Sequence, residues 1–255
     1  MTELARIVRF LRAFDERLVE RIVPTPHGRM LLTPSLPRVY YLNYLSVDPG
    51  ATATAVELAA EAGEAPGAGG LAHRKVAVDD GTLGAALEPG FRALGWTVER
   101  LLVMAHRGAE PEIDTSAVVE VEPDELEPVW TEGIRSSPEI EDGDGVRQLV
   151  AAQHRRRRAA HIRYFAARVD GRIAAYCELF SDGETAQVES VMTLEPFRGR
   201  GLGKAVVARA LREAQAAGHD LVFLLADADD WPKELYGKLG FVEVGTIRDF
   251  LRKPA

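Results

Sequence analysis

The chain has 255 residues, which accommodates one large domain or two small ones. Hydrophobic residues make up 46% and charged residues 27%, the balance of an ordinary globular protein, and the lone cysteine, Cys177, excludes a disulfide framework or a cysteine-rich zinc site. A net charge of -8 argues against binding along a nucleic-acid backbone, which needs a broad excess of cations.

In chain order, Leu4, Ile7, Val8, Leu11, Phe14, Leu18 and Ile22 recur at helical spacing and predict an amphipathic helix ended by Pro24 and Pro26. Met30 to Leu32 and the Tyr- and Val-rich run Val39 to Val47 read as strands, and Asp48-Pro49-Gly50 as a turn. A helix from Thr54 to Ala62, a Gly/Ala/Pro loop to Gly70 and a strand from His73 to Val78 follow. After them come a helix from Leu83 to Leu94, interrupted by Pro89, and a strand from Thr97 to His106. Arg107 to Ser116 is polar, carries Gly and Pro, and is the best linker.

Beyond the linker the spacing predicts a strand at Val118 to Val121, a helix at Asp124 to Ser136, an acidic loop at Pro138 to Gly145 and a helix at Val146 to Ala160. Three strands joined by tight turns then run from Tyr164 to Thr193, with Cys177 a buried small apolar residue in the middle one. Lys204 to Ala217 is helical with Gly218 as its C-terminal cap. Leu221 to Leu225 is an apolar strand, Pro232 to Leu239 a short helix and Phe241 to Leu251 a last strand. No apolar run reaches the length of a membrane span. Charges at Glu3, Arg6, Arg9, Arg12, Asp15 and Glu16 interrupt any signal-peptide core, so a cytoplasmic location without a membrane partner is expected.

The segment richest in chemistry is Arg198 to Lys204, where Gly199, Gly201 and Gly203 sit between a strand and a helix. Side-chain-free amides at the positive end of a helix dipole make an anion site, and Arg198, Arg200 and Lys204 add charge suited to a phosphate. A Walker-type loop fails on spacing, because Arg198 stands where its first glycine belongs and Ala205 replaces the magnesium-binding hydroxyl. The dinucleotide fingerprint fails as well, because the glycines alternate without the two-residue gap.

The pattern that fits is Arg198-Gly-Arg-Gly-Leu-Gly203, followed downstream by Tyr236-Gly-Lys-Leu-Gly-Phe241. Together they resemble the signature of the GNAT superfamily of acetyl-CoA-dependent N-acetyltransferases, over about Val118 to Leu251. The resemblance implies an α/β (α+β) fold with a mixed, mostly antiparallel sheet flanked by helices. Leu-Gly-aromatic elements recur at Trp96 and Phe241, and Asp-Pro and Glu-Pro pairs recur at Pro49 and Pro196. The first half therefore resembles a degenerate GNAT-like unit without the phosphate cradle, and the expected division is residues 1–112 and 113–255.

The same resemblance implies that Arg198, Gly199, Arg200, Gly201, Leu202, Gly203 and Lys204 hold the coenzyme A pyrophosphate. Val191, Met192 and Thr193 would offer main-chain groups to the pantetheine arm; Pro196 falls one place later than is common in the family. Tyr236 matches the tyrosine that protonates the departing thiolate; packing of its ring is the structural alternative. For the base, Glu189 is placed by strict alternation on one face with Val191 and Thr193, with Glu178 a second candidate; a salt-bridged strand carboxylate is the alternative for either. Asp227 stands where many members carry Asn, and Asp230 reads as a cap for the Pro232 helix. His154-Arg-Arg-Arg-Arg158 reads as a solvated helix end, with one Arg free to touch substrate or the coenzyme's 3'-phosphate.

No metal is implied. The acceptor would be a small-molecule or peptide amine, with no nucleic acid as partner and a homodimer left open. The expected activity is acetyl transfer from acetyl-CoA to a primary amine by direct attack, with a catalytically silent acyl-CoA sensor or interaction module as the alternative.

Overall fold

The computed structural model describes residues 1–137 and 143–254. The first half comprises α1 (Glu3–Leu18), β1 (Arg21–Thr25), β2 (Gly28–Leu32), β3 (Tyr44–Val47), α2 (Ala55–Glu64), β4 (Arg74–Val78), α3 (Gly81–Ala93) and β5 (Thr97–His106). The second comprises β6 (Val118–Val121), α4 (Pro123–Arg135), α5 (Gly143–Arg155), β7 (His161–Val169), β8 (Arg172–Ser181) and β9 (Thr185–Thr193). It continues with α6 (Leu202–Ala216), β10 (Leu221–Asp227), α7 (Pro232–Lys238) and β11 (Phe241–Arg252).

All described strands pair into one 11-stranded sheet, in the order β1-β2-β3-β4-β11-β5-β10-β9-β8-β7-β6. Two contacts are parallel, β3 with β4 and β9 with β10, and the others are antiparallel. This is the mixed, mostly antiparallel sheet flanked by helices that the sequence leads one to expect. Helix α6 buries Val206, Val207, Ala210, Leu211 and Ala214 on one face, against Phe165, Cys177 and Val188. On the opposite face Phe10 and Phe14 of α1 meet Phe223 and Phe180, with ring centroids 5.4 Å and 4.9 Å apart. Gly218 has φ 87 and caps α6 through Gly218 N to Gln215 O and His219 N to Ala214 O.

The two halves exchange their last strands. Strand β11 of the second half lies between β4 and β5, and β5 of the first half lies between β11 and β10. Phe250 of β11 accordingly stacks on Phe91 of α3 at 4.1 Å, deep in the first half's core. A sequence division near residue 112 is thus bridged by the longest ladder in the sheet, Phe241 to Leu251 paired with His106 to Thr97. Truncating a fully buried Phe to Ala costs about 3–5 kcal/mol. Phe250→Ala is expected to lower the single melting transition of the whole chain in calorimetry; a second half melting unchanged in a separate step would contradict it.

Three local expectations are corrected. Helix α1 stops at Leu18, and Ile22 and Pro24 belong to β1, the edge strand, where a residue without an N–H is tolerated. The strand expected from Val39 is shortened, because Tyr40–Leu42 forms a 3-10 turn and β3 starts only at Tyr44. Buried Asn43 enforces this: its side chain accepts from Thr33 N at 2.8 Å and donates to Leu36 O at 2.9 Å and Val39 O at 3.0 Å. Of the acidic loop expected at Pro138 to Gly145, residues 138–142 lie outside the described ones, and α5 begins at Gly143.

Candidate active site

Strands β9 and β10 run side by side only at Thr185–Leu221, Ala186–Val222 and Gln187–Phe223. Past that point their pairing ends, and the two strands part on the side of the glycine turn. A bulge in β9 shapes this opening. Ser190 has φ 52, in the left-handed region that non-glycine residues adopt at a cost. The β8–β9 register jumps from Glu178–Glu189 to Tyr176–Met192, so Ser190 and Val191 together face Cys177.

The bulge corrects the placement of Glu189. Strict alternation puts it on one face with Val191 and Thr193. The extra residue instead leaves Val191 packed under α6 and turns Glu189 to the face of Glu178, its direct cross-strand partner. Gln187 Nε2 donates to Glu189 Oε2 at 2.8 Å. Thr193 stays on the α6 side, where a Cβ on Gly203 would lie 3.1 Å from its Oγ1. Glycine at 203 therefore lets the helix start press against the strand end. Met192, between them, is 41% exposed.

The glycine turn is built as an open helix start. Gly199 and Gly201 both have φ 78, and a Cβ at either would meet nothing within 4 Å. Gly201 is the N-cap and supplies no side-chain acceptor. The first bond into the helix is Ala205 N to Gly201 O at 3.1 Å, so the amides of Leu202, Gly203 and Lys204 have no intrahelical acceptor. Arg198 and Arg200 are exposed beside them. Arg198 Nε donates to Thr193 O at 3.3 Å, and the Arg200 guanidinium sits 5.6 Å over the Phe197 ring. Leu202 leans on the α6 core. The arrangement offers amide donors, helix-dipole charge and two mobile-armed cations to one anion.

Tyr236 comes from α7, is 8% exposed, and packs at 6.4 Å against the Phe241 ring. Burial pushes its phenol up to about 12, and the nearby Glu189 carboxylate adds to the shift, as do Cys177 and Asp230. The phenol is therefore protonated at neutral pH and available as a donor. Cys177 is fully buried, with its thiol donating to Val206 O and its pKa raised by burial, which makes it inert. Asp227 Oδ1 accepts from Asp229 N at 2.8 Å. Asp230 bonds Trp231 N at 2.7 Å, one residue short of the helical amides it was expected to cap.

Comparison with known proteins agrees with this geometry. Residues 126–241 match the family model described as "Acetyltransferase (GNAT) family". The chain carries a GNAT-superfamily domain. A GCN5-related N-acetyltransferase from Kribbella flavida has a similar fold at 21% identity and a TM-score of 0.61, covering 100% of this chain and 97% of that one. A functionally unknown conserved protein from Staphylococcus epidermidis is similar at 17% identity and a TM-score of 0.68, covering 93% and 95%. A tandem GNAT protein from the clavulanic acid biosynthesis pathway covers 72% of this chain and 64% of its own, at 17% identity and a TM-score of 0.51. No curated protein matches the chain. Among the described residues no helix is long and apolar enough to cross a membrane.

Residues outside the GNAT motifs complete the site. The arginine run is only partly the solvated helix end expected from sequence. Arg157 and Arg158 are exposed, whereas the side chains of Arg155 and Arg156 are each 14% exposed. Arg155 Nε donates to Leu18 O. Arg156 Nη1 donates to Glu178 Oε2 at 3.2 Å and to Ser190 Oγ at 2.9 Å. Four consecutive cations leaving a helix cannot all point to water, and the buried Glu178 in an apolar strand was the only hint of a partner.

The first half has a short parallel pair of its own, Leu45–Val76 and Ser46–Ala77, but the helix that follows β3 has a closed start. The start of α2 is closed by a capping box, with Glu57 N bound to Thr54 Oγ1 at 3.3 Å and Thr54 N to Glu57 Oε2 at 2.7 Å. Val47 O, at the end of β3, accepts from Arg12 Nη2. A carboxylate thus occupies the helix start where the second half is open.

Proposed function

We propose that the protein is an N-acetyltransferase that takes acetyl-CoA in the cleft between β9 and β10. The observation that carries this reading is the uncapped helix start at Gly201 beside the splayed strand pair. The pyrophosphate is held by Arg198, Gly199, Arg200, Gly201, Leu202, Gly203 and Lys204, and the pantetheine arm lies along the main chain of Val191, Met192 and Thr193. The acceptor amine approaches from the Glu189 face and the thioester from the Tyr236 face. Glu189 takes a proton from the acceptor ammonium, the neutral nitrogen attacks the thioester carbonyl, the C–S bond breaks as Tyr236 protonates the thiolate, and the surplus proton on the new amide nitrogen passes to the Tyr236 phenolate. No covalent enzyme intermediate and no metal enter this scheme. Residues 113–255 form the catalytic part and 1–112 the partner unit that closes the acceptor side, in a cytoplasmic protein.

The test is acetyl-CoA-dependent thiol release measured over a panel of small-molecule and peptide amines. Turnover on any amine supports the proposal. Tight binding of acetyl-CoA with no turnover on the whole panel replaces it with a silent acyl-CoA sensor.

A further inference from the structure

On the sheet face opposite α6, three polar side chains stand in one cross-strand row. Tyr164 of β7 pairs with Glu178 of β8, and Glu178 pairs with Glu189 of β9. Like charges directly opposite each other on antiparallel strands repel, and Glu178 is only 1% exposed. The guanidinium bonded to Glu178 is Arg156, and it is held from both halves of the chain. The Tyr41 ring, from the 3-10 turn Tyr40–Leu42 of the first half, lies 5.4 Å from it, and the Phe180 ring of β8 lies 5.9 Å away. The nitrogen that bonds Glu178 Oε2 also bonds Ser190 Oγ, whose positive φ makes the bulge that turns Glu189 to this face. Glu178 Oε1, Tyr164 Oη and Tyr41 Oη are buried and have no hydrogen-bond partner among the described residues.

We propose that Arg156, backed by Tyr41 of the first half, is a positioning residue for acceptor deprotonation. It keeps Glu178 and Glu189 ready as carboxylates and pins the Ser190 bulge so that Glu189 faces the amine. The catalytic consequence rests on the acyl-transfer reading above. In that step the ammonium N–H proton passes to a Glu189 oxygen, its bonding pair stays on nitrogen as the attacking lone pair, and Glu189 becomes a neutral acid.

Arg156 after α5, Tyr41, Tyr164 and Tyr176 face the pair, Arg157 and Glu122 act on Tyr164, and Cys177 on β8 and Tyr236 on α7 act from the α6 side. Burial holds the Glu178 pKa above the usual carboxylate range, and Arg156 opposes that shift. Without Arg156 the pair takes up its first proton at higher pH, and the base is partly blocked before an amine arrives.

The test is a pH titration of the full chain with 13C-labelled glutamate carboxyls, followed by NMR and assigned with Glu178→Gln and Glu189→Gln. Arg156→Met is expected to raise the midpoint of the pair's first protonation by about one unit or more, the scale of one neighbouring charge. Arg156→Lys, which keeps the charge but loses the bridge to Ser190, falls between. An unmoved midpoint in folded Arg156→Met overturns the proposal; if that variant does not fold, Arg156→Gln, also uncharged, decides on the same criterion. The titration uses neither acceptor nor turnover, so it stays readable if the protein proves not to acetylate amines.

Discussion

Gly201→Glu is expected to weaken acetyl-CoA binding by about 100-fold or more while the protein stays folded. Hydrogen bonds to a charged group are worth about 1.5–3 kcal/mol each, and each 1.4 kcal/mol is about tenfold in affinity. A carboxylate at position 201 would stand at an open helix start and compete for the amides of Leu202 to Lys204, as the Thr54 side chain accepts from a first-turn amide in the first half. The Cβ itself has room, since nothing lies within 4 Å. The backbone cost of φ 78 in a residue with a side chain is about 1–2 kcal/mol, too little to unfold a domain of this size. Gly201→Asn separates the two effects, because Asn tolerates the left-handed region and carries no charge; it should bind within about tenfold of the parent. Calorimetric titration checks both, and equal losses in the two variants would mean that backbone strain, not charge at an anion site, sets the affinity.

Tyr236→Phe is expected to lower kcat by about 100-fold or more, the usual scale of a lost general acid, with KM for acetyl-CoA little changed. The ring stays to pack against Phe241, so only the proton is removed. The phenol's pKa of about 12 sets the sign of the pH dependence. The donor form is the protonated one, so this group is fully competent through neutral and mildly alkaline pH and fails only as pH rises towards about 12. Steady-state kinetics on any amine the protein accepts provides the check. An unchanged kcat would reduce Tyr236 to a packing residue.

What was legible in the sequence is what lies close along the chain. The glycines of 199–203, the helix behind them and Tyr236 with Gly240-Phe241 are local patterns, and they point to the proposed cofactor cleft. The site's other side depends on contacts between distant segments. Period-two counting cannot see the bulge at Ser190, because nothing in the residue types announces one extra residue, and so it put Glu189 on the wrong face. Arg156 reads as one of four equivalent arginines until Glu178, Ser190 and Tyr41 are brought around it by the fold. The exchange of β5 and β11 is invisible for the same reason: each strand has an unremarkable apolar pattern, and only the ladder between them shows that the halves share a core. Pro24 and Asn43 misled locally because an edge strand tolerates proline and a buried amide can hold a loop in place of a strand.

The central claim is that one half of this chain, and only one, is open to acetyl-CoA. Calorimetric titration of acetyl-CoA into the full chain tests it most directly. Saturation at one equivalent per chain, weakened about 100-fold or more by Gly201→Glu, is the expected result. No binding would contradict the cleft assignment, and two equivalents would contradict the capping of the first-half helix start by Thr54 and Glu57.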